Sequence, residues 1–211
     1  MDLALDNGAK WSKVGLMGGT FDPIHLGHLV VAEEARERFG LDRVVFVPNG
    51  QPPHKEGRRI TAAEHRYNMC LLATAENPFF TVSRTEIDRD GPCYTIDTLR
   101  LFRAQLGPEA EIYFITGADA VLDLPNWREP DAILSECHVV AAHRPGFDLA
   151  CLVPALGEER ARKVQEMALP ALDISSTRIR ARVAEGRSVR YLVPPAVEGY
   201  IAKMGLYRAA E

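Results

Sequence analysis

Two histidines three residues apart, His25 and His28, close the run Gly18-Gly19-Thr20-Phe21-Asp22-Pro23-Ile24-His25-Leu26-Gly27-His28. An apolar stretch, Val14 to Met17, precedes the run, and a helical pattern from Leu29 to Phe39 follows it. Strand, glycine-rich turn, helix: this order sets the free N–H groups of a helix N-terminus over the turn. Gly18 and Gly19 let a ligand approach the backbone, and Gly27 leaves room beside the imidazoles. That is the chemistry of an anion site, with phosphate the best-suited anion. A zinc reading of the pair needs a third and a fourth ligand, and the helical HExxH spacing is absent. A structural pair is the remaining alternative, and no metal ligand set is expected.

The elements that position this run read as alternating strands and helices. Strands are expected at 13–17, 44–47, 79–82, 111–116, 138–142 and 165–169. Leu29, Ala32, Ala35 and Phe39 give the first helix one buried face, and Gly40 ends it. Thr61-Ala62-Ala63-Glu64 has the form of a capping box, opening a helix with Ala63, Tyr67, Cys70, Leu71 and Thr74 inward. Thr95 is the expected cap of a third helix, with Ile96, Leu99, Phe102 and Leu106 inward. Ser175-Ser176-Thr177 opens a helix to about Glu185, and Pro194-Pro195 a last one to about Met204. The expected fold is α/β, a doubly wound parallel sheet with a small C-terminal helical part. Ligands of such sheets sit at the carboxyl ends of strands. The distinctive polar groups fall there: 18–28, Asn49 to Lys55, Gly117 to Asp119, and His143-Arg144.

The 211 residues suit one domain, expected over 13–211, after a disordered lead-in at 1–12. Hydrophobic content of 46% and charged content of 26% are ordinary for a globular chain, and no apolar run is long enough to span a membrane. A net charge of −4 argues against a nucleic-acid-coating surface. Cys70, Cys93, Cys137 and Cys151 are scattered, as in reduced cytoplasmic proteins.

GGTFDPIHLGH resembles the HxGH signature of a nucleotidyltransferase superfamily, and Ile174-Ser175-Ser176-Thr177-Arg178-Ile179-Arg180 resembles its second motif, ISSTxxR. PNGQPPHK, GPCYTIDTL, ITGADAVLDLPNW and HRPG are similar to segments of the bacterial nicotinate mononucleotide adenylyltransferases, from about residue 13 onward. Cys93 stands where that family commonly has Ser. The resemblance implies a Rossmann-like nucleotidyltransferase fold and adenylyl transfer from ATP to nicotinate mononucleotide, a step of NAD biosynthesis. Such transfer needs in-line placement of two polyanions and stabilisation of charge on the leaving pyrophosphate, rather than a strong base.

On this reading His25, His28 and Arg180 are catalytic. ATP is expected on Gly18, Gly19, Thr20, Gly27, Gly117, Asp119, Ser175, Ser176 and Thr177, with Asp119 accepting ribose hydroxyls. The mononucleotide is expected on Asn49, Lys55, Tyr94, Thr95, Trp127 and Arg144. Trp127 would stack on the pyridine, and the helix start at Tyr94-Thr95 would hold the carboxylate. Mg²⁺ is expected with ATP, carried by phosphate oxygens and water. The expected partners are ATP and nicotinate mononucleotide, with no nucleic acid and no membrane; a homo-oligomer stays open. The alternatives are another HxGH transferase, such as one acting on phosphopantetheine or a cytidylyl acceptor, and a nucleotide-binding module without turnover.

Overall fold

Six parallel strands form one sheet in the computed structural model, which describes residues 11–50 and 60–208. They are β1 (Lys13–Gly19), β2 (Arg43–Pro48), β3 (Phe80–Val82), β4 (Glu111–Gly117), β5 (His138–His143) and β6 (Val164–Ala168), in the order β3-β2-β1-β4-β5-β6. The chain winds outward from β1 to β3, returns to lay β4 against the other side of β1, and winds outward again. The reversal between β1 and β4 leaves a crevice at their carboxyl ends. The doubly wound α/β fold expected from the sequence is the fold observed.

Alternation along the strands supplies both faces of the sheet. Val14 and Leu16, Val45 and Val47, and Ile112 and Phe114 pack on one side. That side is covered by α3 (Thr95–Leu106), α4 (Ala118–Leu122), α5 (Pro130–Glu136) and α6 (Leu152–Leu156), through Leu99, Val121, Ile133 and Leu152. A one-turn helix, α7 (Glu158–Ala161), leads into β6. Met17, Val44, Phe46 and Ile115 point the other way. There they meet α1 (Leu26–Phe39), α2 (Ala63–Thr74), α8 (Ser176–Ala184) and α9 (Pro195–Met204), through Ala32, Met69, Ile179 and Val197. No helix among the described residues is long and apolar enough to cross a membrane.

Three local expectations are corrected. Trp11 is 7% exposed, and Ser12 donates to the Asp42 carboxylate from N–H (2.6 Å) and hydroxyl (2.9 Å), so order begins by Trp11; residues 1–10 lie outside the described residues. The Thr61 capping box does not form: Ala62 is the N-cap of α2, and Glu64 pairs with Arg84 instead (3.0 Å). Tyr94, not Thr95, is the N-cap of α3.

The buried stripe of α2 also differs from its expected face. It runs through Arg66, Met69, Cys70 and Thr74, while Leu71 is 41% exposed. The stripe is displaced because a charged residue occupies its first position. Arg66 is 1% exposed and donates to the carbonyls of Thr61 (2.9 Å), Thr20 (2.8 Å), Asn49 (2.6 Å) and Gly50 (3.2 Å). One guanidinium thus ties the end of β1, the end of β2 and the entry to α2. Replacing Arg66 with Met removes all four donations and leaves an apolar side chain among the carbonyls. Urea unfolding is expected to show a loss of about 3–5 kcal/mol; a loss under about 1 kcal/mol contradicts the clasp.

Candidate active site

The loop after β1 is shaped by a close fit. Phe21 takes a left-handed backbone (φ 49°), and its ring lies 2.9 Å from where a Cβ on Gly19 would stand, so Gly19 is required there. The Asp22–Pro23 peptide is cis. Helix α8 braces this turn: Ser176 Oγ donates to the Pro23 carbonyl (2.9 Å) and Arg180 Nη1 to the Asp22 carbonyl (2.7 Å). Their four-residue spacing puts both on one face of α8. The Asp22 carboxylate, itself buried, accepts from the Tyr207 hydroxyl (2.7 Å) and the Thr61 N–H (3.3 Å). Arg180 also reaches Thr177 Oγ1 at 3.3 Å.

His25 is the N-cap of α1, and His28 occupies its third position. The His28 Nδ1 accepts the His25 backbone N–H at 3.2 Å, so the neutral ring carries its proton on Nε2. The two rings stack with centroids 3.7 Å apart, and Phe21 meets His28 edge-on at 5.1 Å. A Cβ on Gly27 would sit 3.0 Å from His25 Nδ1, so Gly27 keeps the space for that ring. His25 Nδ1 is buried beside Gly27 and faces the His28 backbone N–H in a capping-box arrangement. Burial, reinforced by the Arg144 cation, lowers the His25 pKa to about 4. Burial, then His25, then Arg144 push His28 well below the ordinary value. Both shifts favour the neutral ring.

Two clefts open on either side of this turn. One, about 530 Å³, is lined by His25, Gly27, His28, Gly117, Asp119, His143, Arg144, Ser175 and Ser176, with Phe147, Leu169 and Leu172 at its apolar part. The other, about 280 Å³, is lined by Gly18, Thr20, Asn49, Glu86, Cys93, Tyr94, Thr95, Thr98, Trp127 and Arg128. Trp127 stands edge-on to Phe114 at 5.9 Å, and the Arg128 guanidinium lies 4.9 Å over the Tyr94 ring. The start of α3, with its free N–H groups, opens into this second cleft.

The structure therefore sorts the expected residues. Arg144, expected on the mononucleotide, sits in the cleft of the histidines, held by Asp173 (3.2 Å) and the Ile174 carbonyl (2.9 Å). Gly18 and Thr20, expected on ATP, line the other cleft. Gly19, Thr177 and Arg180 line neither and shape or brace the turn between them. Lys55 and His54 lie outside the described residues. Asp119, expected just after the fourth strand, is in the first turn of α4.

Sequence reasoning missed Arg66, Asp22, Glu86 and Arg128. Glu86 is 4% exposed, and its two carboxylate oxygens accept from Asn49 Nδ2 (2.9 Å) and Thr98 Oγ1 (2.8 Å). Burial raises its pKa, while those two donors favour the ionised form. The available signal was a carboxylate just after a strand end.

Residues 16–182 match the cytidylyltransferase-like family. A Moorella thermoacetica protein named "Probable nicotinate-nucleotide adenylyltransferase" is 55% identical over 199 residues, covering 93% of this chain and 92% of the relative. A Thermus thermophilus protein of the same name is 53% identical over 196 residues, covering 93% of this chain and all of the relative. A solved Plasmodium falciparum nicotinic acid mononucleotide adenylyltransferase, complexed with NaAD, superposes with a TM-score of 0.72 at 19% identity. That match covers 93% of this chain and 97% of the other.

The histidines make stability depend on pH. A folded pKa of about 4 against an ordinary 6.5 means the unfolded chain binds the proton more readily. The His25 contribution is complete above pH 6.5 and is lost as pH falls toward 4. Its size is about 3 kcal/mol at the acid end, and His28 acts with the same sign. Urea midpoints are expected to fall more steeply over this window in the native chain than in His25→Asn; equal slopes contradict the burial argument.

Proposed function

The chain belongs to the cytidylyltransferase-like family and, within it, to the nicotinate-nucleotide adenylyltransferases, and on that premise we propose how its two clefts divide the reaction. It transfers the adenylyl group of ATP to nicotinate mononucleotide, giving nicotinate adenine dinucleotide and pyrophosphate, a step of NAD biosynthesis. The observation that carries the division is the single turn, Gly18 to His28, standing between a cleft with histidines and Arg144 and a cleft with an aromatic wall and a helix start.

ATP takes the larger cleft. The His28 Nε2–H and the His25 ring meet its phosphates, with Ser175, Ser176 and Thr177 at the N-terminus of α8. Arg144 adds fixed positive charge. Arg180, with Nη1 on the Asp22 carbonyl and Nη2 on Thr177 Oγ1, serves the reaction by holding the turn that carries the histidines. The Asp119 carboxylate accepts ribose hydroxyls, Gly117 gives the backbone room, and the apolar part at Phe147 and Leu172 takes the base.

Nicotinate mononucleotide takes the smaller cleft. Trp127 stacks on its pyridine, the N–H groups at Tyr94-Thr95 hold its carboxylate, and Asn49 contacts its ribose. Lys55 is assigned to its phosphate on the sequence alone. That phosphate lies toward Gly18 and Thr20, facing the α-phosphorus in line. Its oxygen attacks, the bond to the β-phosphate oxygen breaks, and pyrophosphate leaves among the histidines. The nucleophile is already anionic, so no side chain needs to remove a proton. Placement and N–H donors aimed at the developing charge lower the barrier.

Mg²⁺ accompanies ATP. The ion is proposed to be carried mainly by the phosphate oxygens of ATP and by water, as a hard cation with few protein ligands is. When bound it would offset the charge of the phosphates that the histidine cleft receives. The cytoplasm is the proposed location, and four free cysteines fit a reducing compartment.

The test is steady-state turnover with ATP and either nicotinate mononucleotide, its amide counterpart or phosphopantetheine, reading pyrophosphate and dinucleotide. The acid is expected to give the highest kcat/KM, since only a carboxylate suits the helix start. His28→Ala is expected to lower kcat by about 100- to 1,000-fold, the effect of losing one charge-stabilising donor. Activity on phosphopantetheine alone, or near-normal turnover by His28→Ala, overturns the proposal.

A further inference from the structure

Glu86 is a buried carboxylate that the reaction as described does not use. It stands in the wall of the smaller cleft, on the irregular stretch between β3 and α3. Burial of an ionised group costs free energy unless hydrogen bonds compensate, and here each oxygen has one donor.

One of those donors is Asn49, whose main chain is already fixed. Its N–H donates to the Gly19 carbonyl (2.9 Å) and its carbonyl accepts from Arg66 (2.6 Å). What the backbone leaves open is the rotation of the side chain and which end of the amide faces the cleft. A carboxylate only accepts, so the amide nitrogen must turn toward Glu86. The carbonyl oxygen Oδ1 then remains for the cleft, where it suits a hydroxyl donor such as a ribose hydroxyl.

Glu86 is held in turn. The Thr98 hydroxyl fixes its other oxygen from the second turn of α3, the helix whose start opens into the same cleft. The Cys93 thiol donates to the Glu86 carbonyl at 3.3 Å. A Cβ on Gly50 would lie 2.0 Å from that carbonyl, so the backbone after β2 packs directly against this segment.

We propose that Glu86 is a positioning residue for the mononucleotide. It orients the Asn49 amide so that its oxygen receives a ribose hydroxyl, and through Thr98 it sets the distance between that contact and the start of α3. The inference rests on the assignment of the smaller cleft to nicotinate mononucleotide. Glu86 touches no reacting atom, and its effect belongs to KM for one substrate.

The test compares KM for nicotinate mononucleotide, KM for ATP, and kcat in purified variants, each with its thermal midpoint. Glu86→Leu is expected to raise the mononucleotide KM about 10- to 30-fold, as when one hydrogen bond to substrate is removed. ATP KM and kcat are expected to stay within about threefold. Glu86→Gln still accepts from Asn49 while donating to the Thr98 hydroxyl oxygen, so it is expected to stay near the native values. In an Asn49→Ala background, Glu86→Leu is expected to add less than about twofold, because the two act as one unit.

A second route covers failure of Glu86→Leu to fold. Asn49→Asp sets two carboxylates face to face and is expected to raise the mononucleotide KM; Glu86→Gln in that background restores a donor and lowers KM by about tenfold. Equal losses in both KM values and kcat, an additive double variant, or no rescue of Asn49→Asp overturns the proposal. Failure of the native chain to use nicotinate mononucleotide strikes the cleft assignment instead, and the native control separates the two.

Discussion

The Arg66 guanidinium is the interaction on which the rest depends. Three stretches far apart in sequence end beside it: Thr20 after β1, Asn49 and Gly50 after β2, and Thr61 before α2. Each turns a backbone carbonyl toward the guanidinium. A planar fork of five donors satisfies several such carbonyls at once, which a lysine point charge cannot do. The cost is desolvation of a cation, which lowers the Arg66 pKa, with the nearby Asp22 carboxylate opposing that shift. The Asp22 oxygens in turn accept from Tyr207 and Thr61, so the C-terminal end of the chain is fastened to the same knot.

From that knot the chemistry follows by position. The turn after β1 is held by Arg66 through Thr20 and by α8 through Asp22 and Pro23. It delivers His25 to the first cap of α1, and the His25 N–H then fixes His28. The histidines are stacked, His25 buried and His28 half-buried, and their lowered pKa values favour neutral rings that meet a polyanion as N–H donors already aimed. Such donors need no reorganisation during the reaction, which is where their catalytic value lies. The β1/β4 reversal provides the two clefts, and the one turn serves both.

The fold was legible because its strands are short apolar runs between helices of clear period. The histidine site was legible because glycines and histidines at that spacing suit a strand–turn–helix join, and the family resemblance added the identity of both substrates. The hidden parts are buried polar groups. Arg66 and Glu86 read as surface charges in a sequence, since nothing local reports that four carbonyls or an amide will surround them. Arg66 even displaced the expected stripe of α2 and exposed Leu71. Thr61 carries a capping pattern, yet its main chain is engaged by Asp22 and Arg66, a long-range interaction that overrides the local one. Arg144 lines the cleft of the histidines, a placement that sequence order alone does not report because it cannot tell which side of the turn the end of β5 faces.

The central claim is that the signature histidines act as neutral, pre-aimed donors rather than as an acid and a base. It is tested most directly by ¹⁵N NMR of the imidazoles in the free protein, titrated from neutral to acid pH. The account predicts that His28 stays neutral with its proton on Nε2 as pH passes through the ordinary 6.5, and that His25 charges only near 4. Protonation of either ring with a midpoint at the ordinary value, or a His28 proton on Nδ1, contradicts it.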